Sequence, residues 1–270
     1  MKIINFASKL GQKKYGVQNT GHYLEKLIDN SFFHVKCKNQ ISKKNFYNNL
    51  NKLYFSNNLF QKKINIGGDH SMSIATVADS LNRVEQGRLK VLWFDAHADI
   101  NTYYSSKSKN FHGMPLSYLT NLDKNKNFSF IINTLDLNNL MYIGIRDLDN
   151  YEKKIIKKYN IQYINTNDFN NLPEKSLSKI INFIKDDPFH LSFDVDCLDP
   201  SIISSTGTPV NNGLLLDETK YVLDTIKNYN LINMDIAELN LYIGDKNEKR
   251  KSLNNFLYLF NNYLDVKSSH

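Results

Sequence analysis

Three potential metal ligands alternate along one short stretch of the chain, VLWFDAHADIN, at residues 91–101. Asp95, His97 and Asp99 are separated by single alanines and follow an apolar run. Because alternate residues of an extended backbone point to the same side, these two carboxylates and the imidazole are expected to converge on one small volume. Carboxylates that close repel each other unless a cation neutralises them or they take up protons. A turn rich in solvated acids would explain a single D-x-H pair, whereas three alternating groups favour a bound metal ion.

A second segment repeats this pattern, and a histidine follows another apolar run. FDVDCLDP, residues 193–200, places Asp194 and Asp196 two residues apart, and His70 follows KINIGGD. Capping of a turn would explain the second segment taken alone. Together the segments offer four carboxylates and two imidazoles: Asp95, Asp99, Asp194, Asp196, His70 and His97. Six ligands are too many for one tetrahedral zinc ion and suit two metal ions that share bridging carboxylates. The oxygen-rich set favours manganese or a similar divalent ion.

Short apolar, β-branched runs alternate with helical patterns along the chain. The runs predicted as strands are residues 2–6, 63–66, 90–94, 140–143, 161–164, 190–193 and 231–234. The segments predicted as helices are residues 22–28, 43–53, 73–85, 151–159, 174–185, 217–228 and 252–264. This alternation predicts an α/β fold with a mostly parallel sheet that helices cover on both faces. The polar segments 121–127 and 244–251 are predicted as surface loops.

The polar residues of interest follow directly after these predicted strands. His70, residues 95–99, Asp194 and Glu238 each lie at a strand end or within a few residues of one. The carboxyl ends of parallel strands open into one crevice, which is the usual ligand site of such sheets. We therefore expect the four segments to meet there.

Length and composition limit the class of protein. The 270 residues, of which 41% are hydrophobic, suit one large domain spanning residues 1–270. The last three, Ser268, Ser269 and His270, are set aside as an expression remnant. Lysines are scattered despite the net charge of +7, so no nucleic-acid partner is predicted. Two cysteines without paired spacing, no signal peptide and no run of about 20 apolar residues predict a cytoplasmic protein without a membrane span.

Six short motifs occur in order between residues 65 and 240. They are GGDHS at 67–71, DAHADIN at 95–101, HGMP at 112–115, SFDVDCLDP at 192–200, TGTPV at 206–210 and DIAELN at 235–240. In order and spacing they match the ureohydrolase superfamily, and the chain resembles the arginases most closely. The resemblance implies a three-layer αβα sandwich around a sheet of about eight strands. It also implies a homo-oligomer, a trimer or hexamer as in relatives.

The resemblance further implies how the six ligands divide between two Mn²⁺ ions per chain. One ion would be held by His70, Asp95, Asp99 and Asp194, and the other by Asp95, His97, Asp194 and Asp196. Two such ions lower the pKa of a bound water toward neutrality and so supply a nucleophile for the unreactive guanidinium carbon.

Catalytic roles are implied for three residues. Asp99 would orient the nucleophile and pass its proton to the leaving nitrogen, and His112 would shuttle protons between the departing amine and solvent. Glu238 would pair with the substrate guanidinium, and Thr208 would line the same place. Without the family, His112 would be interpreted as a turn histidine and Glu238 as a helix N-cap acid.

The implied substrate is L-arginine, hydrolysed to L-ornithine and urea by an amidinohydrolase acting on linear amidines. Asn101, Ser108 and Asn110 resemble the residues that bind the α-carboxylate, although a polar surface loop is the alternative interpretation. In YIGIRDLDNYE, Asp149 and Glu152 match acceptors of the α-amino group. Such a pocket fits an α-amino acid, because agmatine would leave the carboxylate donors unpaired.

Other assignments stay open. Another ureohydrolase, such as an agmatinase or a guanidino-acid hydrolase, would differ in the carboxylate-binding loop. A catalytically silent homologue is disfavoured because all six ligand positions and His112 are present. The deacetylase branch of similar fold uses a single zinc ion and would not need Asp99 and both imidazoles. The chain also departs from the family: it is shorter than most arginases and carries Cys197 where glycine is common.

Overall fold

Eight strands form one sheet in the computed structural model, which describes residues 1–266. The strands are β1 (Lys2–Phe6), β2 (Phe32–Val35), β3 (Lys63–Gly67), β4 (Lys90–Phe94), β5 (Leu140–Ile143), β6 (Gln162–Ile164), β7 (Phe189–Asp194) and β8 (Leu231–Ala237). Their order across the sheet is β2-β1-β3-β8-β7-β4-β5-β6, and every neighbouring pair is parallel. The last strand among the described residues, β8, therefore lies in the middle of the sheet.

Helices cover both faces of this sheet. They are α1 (Thr20–Leu24), α2 (Lys43–Asn57), α3 (Ser73–Arg83), α4 (Pro115–Leu119), α5 (Asn150–Tyr159), α6 (Thr166–Asn171), α7 (Pro173–Ile184), α8 (Leu216–Ile226) and α9 (Lys246–Phe260). Helices α2 to α5 pack with Val91 and Trp93 of β4 in one hydrophobic cluster. Helices α1 and α6 to α9 pack with Leu92 and Phe94 in the other. Because neighbouring residues of a strand face opposite sides, both faces are buried and the fold is the predicted three-layer αβα sandwich.

The seven predicted strands are all present, and the differences lie at the periphery. Strand β2 was not predicted because FFHV is only four residues long and half-exposed, with Val35 its one buried residue. The prediction of a loop at 244–251 was wrong from residue 246 onward, where a helix begins. Helix α9 begins at Lys246 because Asp245 and Glu248 form a capping box, a signal present in the sequence. Helices α4 and α6, of five and six residues, were also missed.

Two further predictions concern the chain's surroundings and its end. Among residues 1–266, no helix combines the length and the apolar character needed to cross a membrane. The expectation that Ser268, Ser269 and His270 are an expression remnant falls outside the described residues.

A buried ion pair fixes helix α3 to the sheet. Lys63 on β3 and Asp79 on α3 pair with side chains that are 1% and 0% exposed, and Arg83 donates to the other oxygen of Asp79 at 2.8 Å. Burial lowers the pKa of Lys63, and the charge of Asp79 opposes that shift. Helix α3 starts three residues after His70, so this pair also steadies the loop that carries the histidine.

We predict that Asp79→Ala lowers the free energy of unfolding by about 3–5 kcal/mol, because it leaves the Lys63 ammonium buried without a counter-ion. Asp187→Ala is the matched control, since Asp187 pairs with an exposed arginine, Arg88, and exposed pairs contribute little. Urea denaturation followed by circular dichroism measures both changes. Equal losses in the two variants would contradict the prediction.

Candidate functional site

The candidate ligands lie where the central strands end. His70 follows β3, Asp95 comes directly after β4, Asp194 is the last residue of β7, and Glu238 comes directly after β8. Gly68 lets the loop after β3 pass close to the end of β1, because a Cβ there would lie 1.4 Å from the Ser8 carbonyl oxygen. The fold thus brings together the four segments that the sequence predicted to meet.

One group of donor atoms surrounds His70. Its Nδ1 lies 3.0 Å from Asp95 Oδ2, 3.1 Å from Asp99 Oδ2 and 3.3 Å from Asp194 Oδ2. All four residues are buried. Asp99 reaches this position from a left-handed backbone conformation, with φ of 49°, which aspartate tolerates better than most residues. The group offers one nitrogen and three carboxylates to a cation.

A second group lies beside the first and shares Asp95. His97 Nδ1 is 3.2 Å from Asp196 Oδ2 and 3.4 Å from Asp95 Oδ1. Asp95 therefore presents one oxygen to each group. Asp194, also expected to be shared, has Oδ2 in the first group while its Oδ1 accepts the backbone N–H of Asp196 at 2.8 Å.

The charges and unpaired atoms of this cluster suit bound cations. Burial, together with the charges of Asp196 and Asp95, raises the pKa of Asp194 well above its usual range. His70 Nδ1 is buried and makes no hydrogen bond to any residue of the described chain. Its other nitrogen, Nε2, lies 2.8 Å from Ser192 Oγ, a contact that leaves the Nδ1 lone pair for a metal if Nε2 carries the proton. Cations in the two groups would neutralise the carboxylates and use the unpaired nitrogen.

Two donors in or just after β4 orient the candidate ligands, and neither was predicted from the sequence. Trp93 Nε1 donates to Asp95 Oδ2 at 3.0 Å, and its ring stacks on the His70 imidazole with 4.3 Å between centroids. The backbone N–H of Ala96 donates to Asp196 Oδ1 at 3.2 Å. Trp93 lies in an apolar run, so its pattern indicated only a core residue. Hydrogen bonds of this kind fix the direction of metal ligands.

His112 and Glu238 form a pair next to the first group. His112 Nδ1 lies 3.2 Å from Glu238 Oε1, which also accepts the His70 backbone N–H at 3.0 Å. Gln12, which was not predicted, donates to Glu238 Oε2 at 2.5 Å. Burial alone would lower the pKa of His112, but the hydrogen bond and the charge of Glu238 raise it to about 9. Glu238 has φ of 67° and follows a strand, so it is not a helix N-cap.

A cavity of about 240 Å³ opens beside the two groups. Four candidate ligands and the predicted proton shuttle line it: His97, Asp99, Asp194, Asp196 and His112. Five predicted substrate residues also line it: Asn101, Ser108, Asp149, Glu152 and Thr208. The other lining residues were not predicted, and they are Ser106, Lys107, Gly113 and Asp147. Asn110 and Glu238 are not among the lining residues of the described chain. The backbone N–H of Asn110 instead donates to Ser108 Oγ at 3.2 Å.

Hydrogen bonds preset several of the polar groups in this cavity. Asn101 Nδ2 donates to Asp149 Oδ2 at 3.1 Å, and Thr208 Oγ1 donates to Asp196 Oδ2 at 2.8 Å. The Glu152 carboxylate accepts the backbone N–H of Asp149 at 2.9 Å in a capping box of α5. Burial raises the pKa of Glu152 to about 7, although that hydrogen bond opposes the shift. Glu152 thus supports the start of α5 as well as lining the cavity.

Similarity to known sequences identifies the family of this chain. The model of the family described as "Arginase family" matches residues 4–254. The chain belongs to the arginase family. An arginase of Neurospora crassa is 40% identical over 199 residues, which cover 68% of this chain and 55% of that one. An arginase of Entamoeba histolytica is 34% identical over 271 residues and covers 88% and 90% of the two chains.

Solved arginase structures share the fold. The crystal structure of Entamoeba histolytica arginase in complex with L-ornithine has a TM-score of 0.87 and 28% identity, and covers 96% of this chain and 97% of that one. The native structure of Bacillus caldovelox arginase has a TM-score of 0.84 and 26% identity, with 99% of each chain covered. Several other arginases are longer than the part that matches: the chain spans 55–58% of their length. The predicted family and fold are confirmed.

We predict that Asp95→Ala loses both metal ions, because Asp95 supplies an oxygen to each donor group, whereas His97→Ala loses one. Asp186→Ala, which removes an exposed acid, is the matched control and should keep both. Elemental analysis after equilibration with Mn²⁺ and gel filtration gives the ions per chain. An Asp95→Ala protein that still held two ions would show that the groups do not share this carboxylate.

Proposed function

We propose that the protein is an arginase, which hydrolyses the guanidinium group of L-arginine to give L-ornithine and urea. The observation that carries this proposal is the pair of donor groups sharing Asp95 beside a polar cavity. Membership of the arginase family and the ornithine complex of a structural relative also support it.

We propose two Mn²⁺ ions as the cofactor. The residues that would hold them are His70, Asp95, Asp99 and Asp194 for one ion, and Asp95, His97, Asp194 and Asp196 for the other. When bound, two such ions lower the pKa of water toward neutrality and stabilise developing negative charge. Ligands dominated by carboxylate oxygen with two imidazoles suit manganese better than a thiolate-preferring metal.

The chain's own residues would then bind the guanidinium and move protons. Asp99 would take the proton of the attacking water and deliver it to the leaving nitrogen. Glu238 would pair with the guanidinium, with its carboxylate held in place by Gln12 and by the backbone of His70. His112, in contact with Glu238, would exchange protons between the departing amine and solvent.

The far end of the cavity supports an α-amino acid as substrate. We assign Asn101 and Ser108, which line the cavity, to the α-carboxylate, together with Asn110, which lies two residues beyond Ser108 on the same loop. The α-ammonium is assigned to Asp149 and Glu152, and Thr208 lines the guanidinium end. Lys107, between the cavity-lining residues Ser106 and Ser108, would add a positive charge beside the carboxylate. An agmatinase would have no use for that charge, which favours arginase over this alternative.

The remaining proposals concern the whole protein. We propose that residues 1–270 form one domain and that the protein assembles into a homo-oligomer, a trimer or a hexamer, as its resemblance to the arginases implies. A cytoplasmic location is proposed from the two unpaired cysteines, Cys37 and Cys197.

For His112→Asn we predict a fall in kcat of about 10²–10⁴, the usual contribution of a positioned acid or base, with both metal ions retained. His112 donates a proton only while protonated, so with its pKa near 9 the activity of the unmodified protein should fall as pH rises through about 9. The variant should lack this alkaline limb. Urea release across pH, with metal content measured beside it, tests the role; loss of metal in the variant would make His112 a structural residue instead.

The specificity prediction uses arginine and agmatine as a pair of substrates. Lys107→Met, and separately Ser108→Ala with Asn110→Ala, should raise the KM for arginine about 10- to 100-fold, since contacts to a charged group are worth about 1.5–3 kcal/mol. Agmatine lacks the carboxylate and should be unaffected. Lys109→Met is the control on the same loop, because Lys109 Nζ contacts the backbone of Tyr103 and Tyr104 instead of lining the cavity. A preference of the unmodified protein for agmatine would contradict the substrate assignment.

A further inference from the structure

A second cluster of metal-ligating side chains lies at one edge of the sheet. His34 is on β2, the edge strand, and faces Asn5 of β1 across the sheet register. His22 is on α1, and Glu25 follows at its end. The elements that carry this cluster supply no ligand to the groups around Asp95, so it is independent of the proposed function.

The three side chains are close enough to hold one ion. One ligand atom from each of His22, Glu25 and His34 lies within 4.8 Å of the other two. His34 Nε2 is 2.9 Å from Glu25 Oε1, and the two imidazole rings stack with 5.1 Å between centroids and 10° between planes. The side chains of His34 and Glu25 are 38% and 39% exposed, so an ion can enter from solvent.

A buried amide beside the cluster supplies the independent observation. Asn5 is 1% exposed and its Nδ2 lies 3.1 Å from His34 Nδ1, while its Oδ1 has no hydrogen-bond partner among residues 1–266. Turning the amide over places Oδ1 against Nδ1, where it accepts the ring proton. His34 Nε2 then carries the lone pair and points toward Glu25. Metal-binding histidines are oriented in this way, with the second ring nitrogen donating to an oxygen.

We propose that His22, Glu25 and His34 form a site for Zn²⁺ or a chemically similar transition-metal ion, with Asn5 orienting His34. Two imidazoles and one carboxylate match the ligand preferences of these ions and leave a position for water. Mg²⁺ and Ca²⁺ prefer all-oxygen sites. The ion would join α1 to the edge strand β2, and binding to the folded state alone would stabilise the protein.

The test compares zinc content in the full chain and two single variants. His22→Asn removes one ligand, and Glu25→Gln keeps an oxygen for His34 while removing the charge. Each protein is first saturated with Mn²⁺, then equilibrated with Zn²⁺, and the bound metals are counted by elemental analysis. Exchange of zinc for manganese around Asp95 occurs equally in all of them, so the difference between proteins reports only the edge cluster. Glu174→Gln, which neutralises a glutamate on α7, is the control.

We expect the unmodified protein and the control to hold one more Zn²⁺ per chain than either variant. We also expect these two proteins to show a larger rise in Tm with added Zn²⁺ than the variants do. Circular dichroism tests whether each variant is folded. If one variant does not fold, the other still provides the comparison. Equal zinc content in all folded proteins would overturn the proposal.

Discussion

Repulsion between buried carboxylates is the constraint on which the site depends. Asp95, Asp99, Asp194 and Asp196 all lie at the ends of β4 and β7 or just beyond them, with side chains largely removed from water. Burial raises the pKa of Asp194 and Asp196, and the negative charge of Asp95 raises both further, although the charge of His97 opposes the shift at Asp196. A parallel sheet makes this concentration possible, because the strands end side by side and helices on both faces hold them there. Cations held by these carboxylates would relieve the repulsion, and their charge would serve to activate water in the proposed reaction.

Much of the architecture could be predicted because its signals are local. Central strands are buried on both faces, so VLWF and similar runs are continuously apolar, and the ligands follow them at once. The half-exposed edge strand β2 lacks such a run, and His34 interrupts its apolar residues. The start of α9 was missed for another reason: the aspartate and glutamate of its capping box stand among many charged residues.

The site itself was only partly predictable, since its supporting contacts join distant parts of the chain. Gln12 and Glu238 are separated by 226 positions, and no pattern around Gln12 indicates that contact. Trp93 sits in a strand whose composition indicates core packing, yet its ring nitrogen donates to Asp95. Asn110 was predicted from its spacing on the loop, yet it is not among the residues of the described chain that line the cavity. Spacing along the sequence therefore predicted which candidate ligands lie together, but not the contacts that surround them.

The central position of β8 has a consequence for synthesis of the protein on the ribosome. Strands β2, β1 and β3 form one half of the sheet and β7, β4, β5 and β6 the other. Among residues 1–266, β8 is the one strand that pairs with both halves. His70 belongs to the first half, whereas Asp95 and Asp194 belong to the second. Until residues 231–237 have emerged, a nascent chain lacks the strand that joins these halves, and their exposed edges are open to wrong pairing. The candidate ligands can therefore meet only after β8 has been made. A chain truncated before residue 231 carries all six of them yet lacks the strand that joins His70 to the other five.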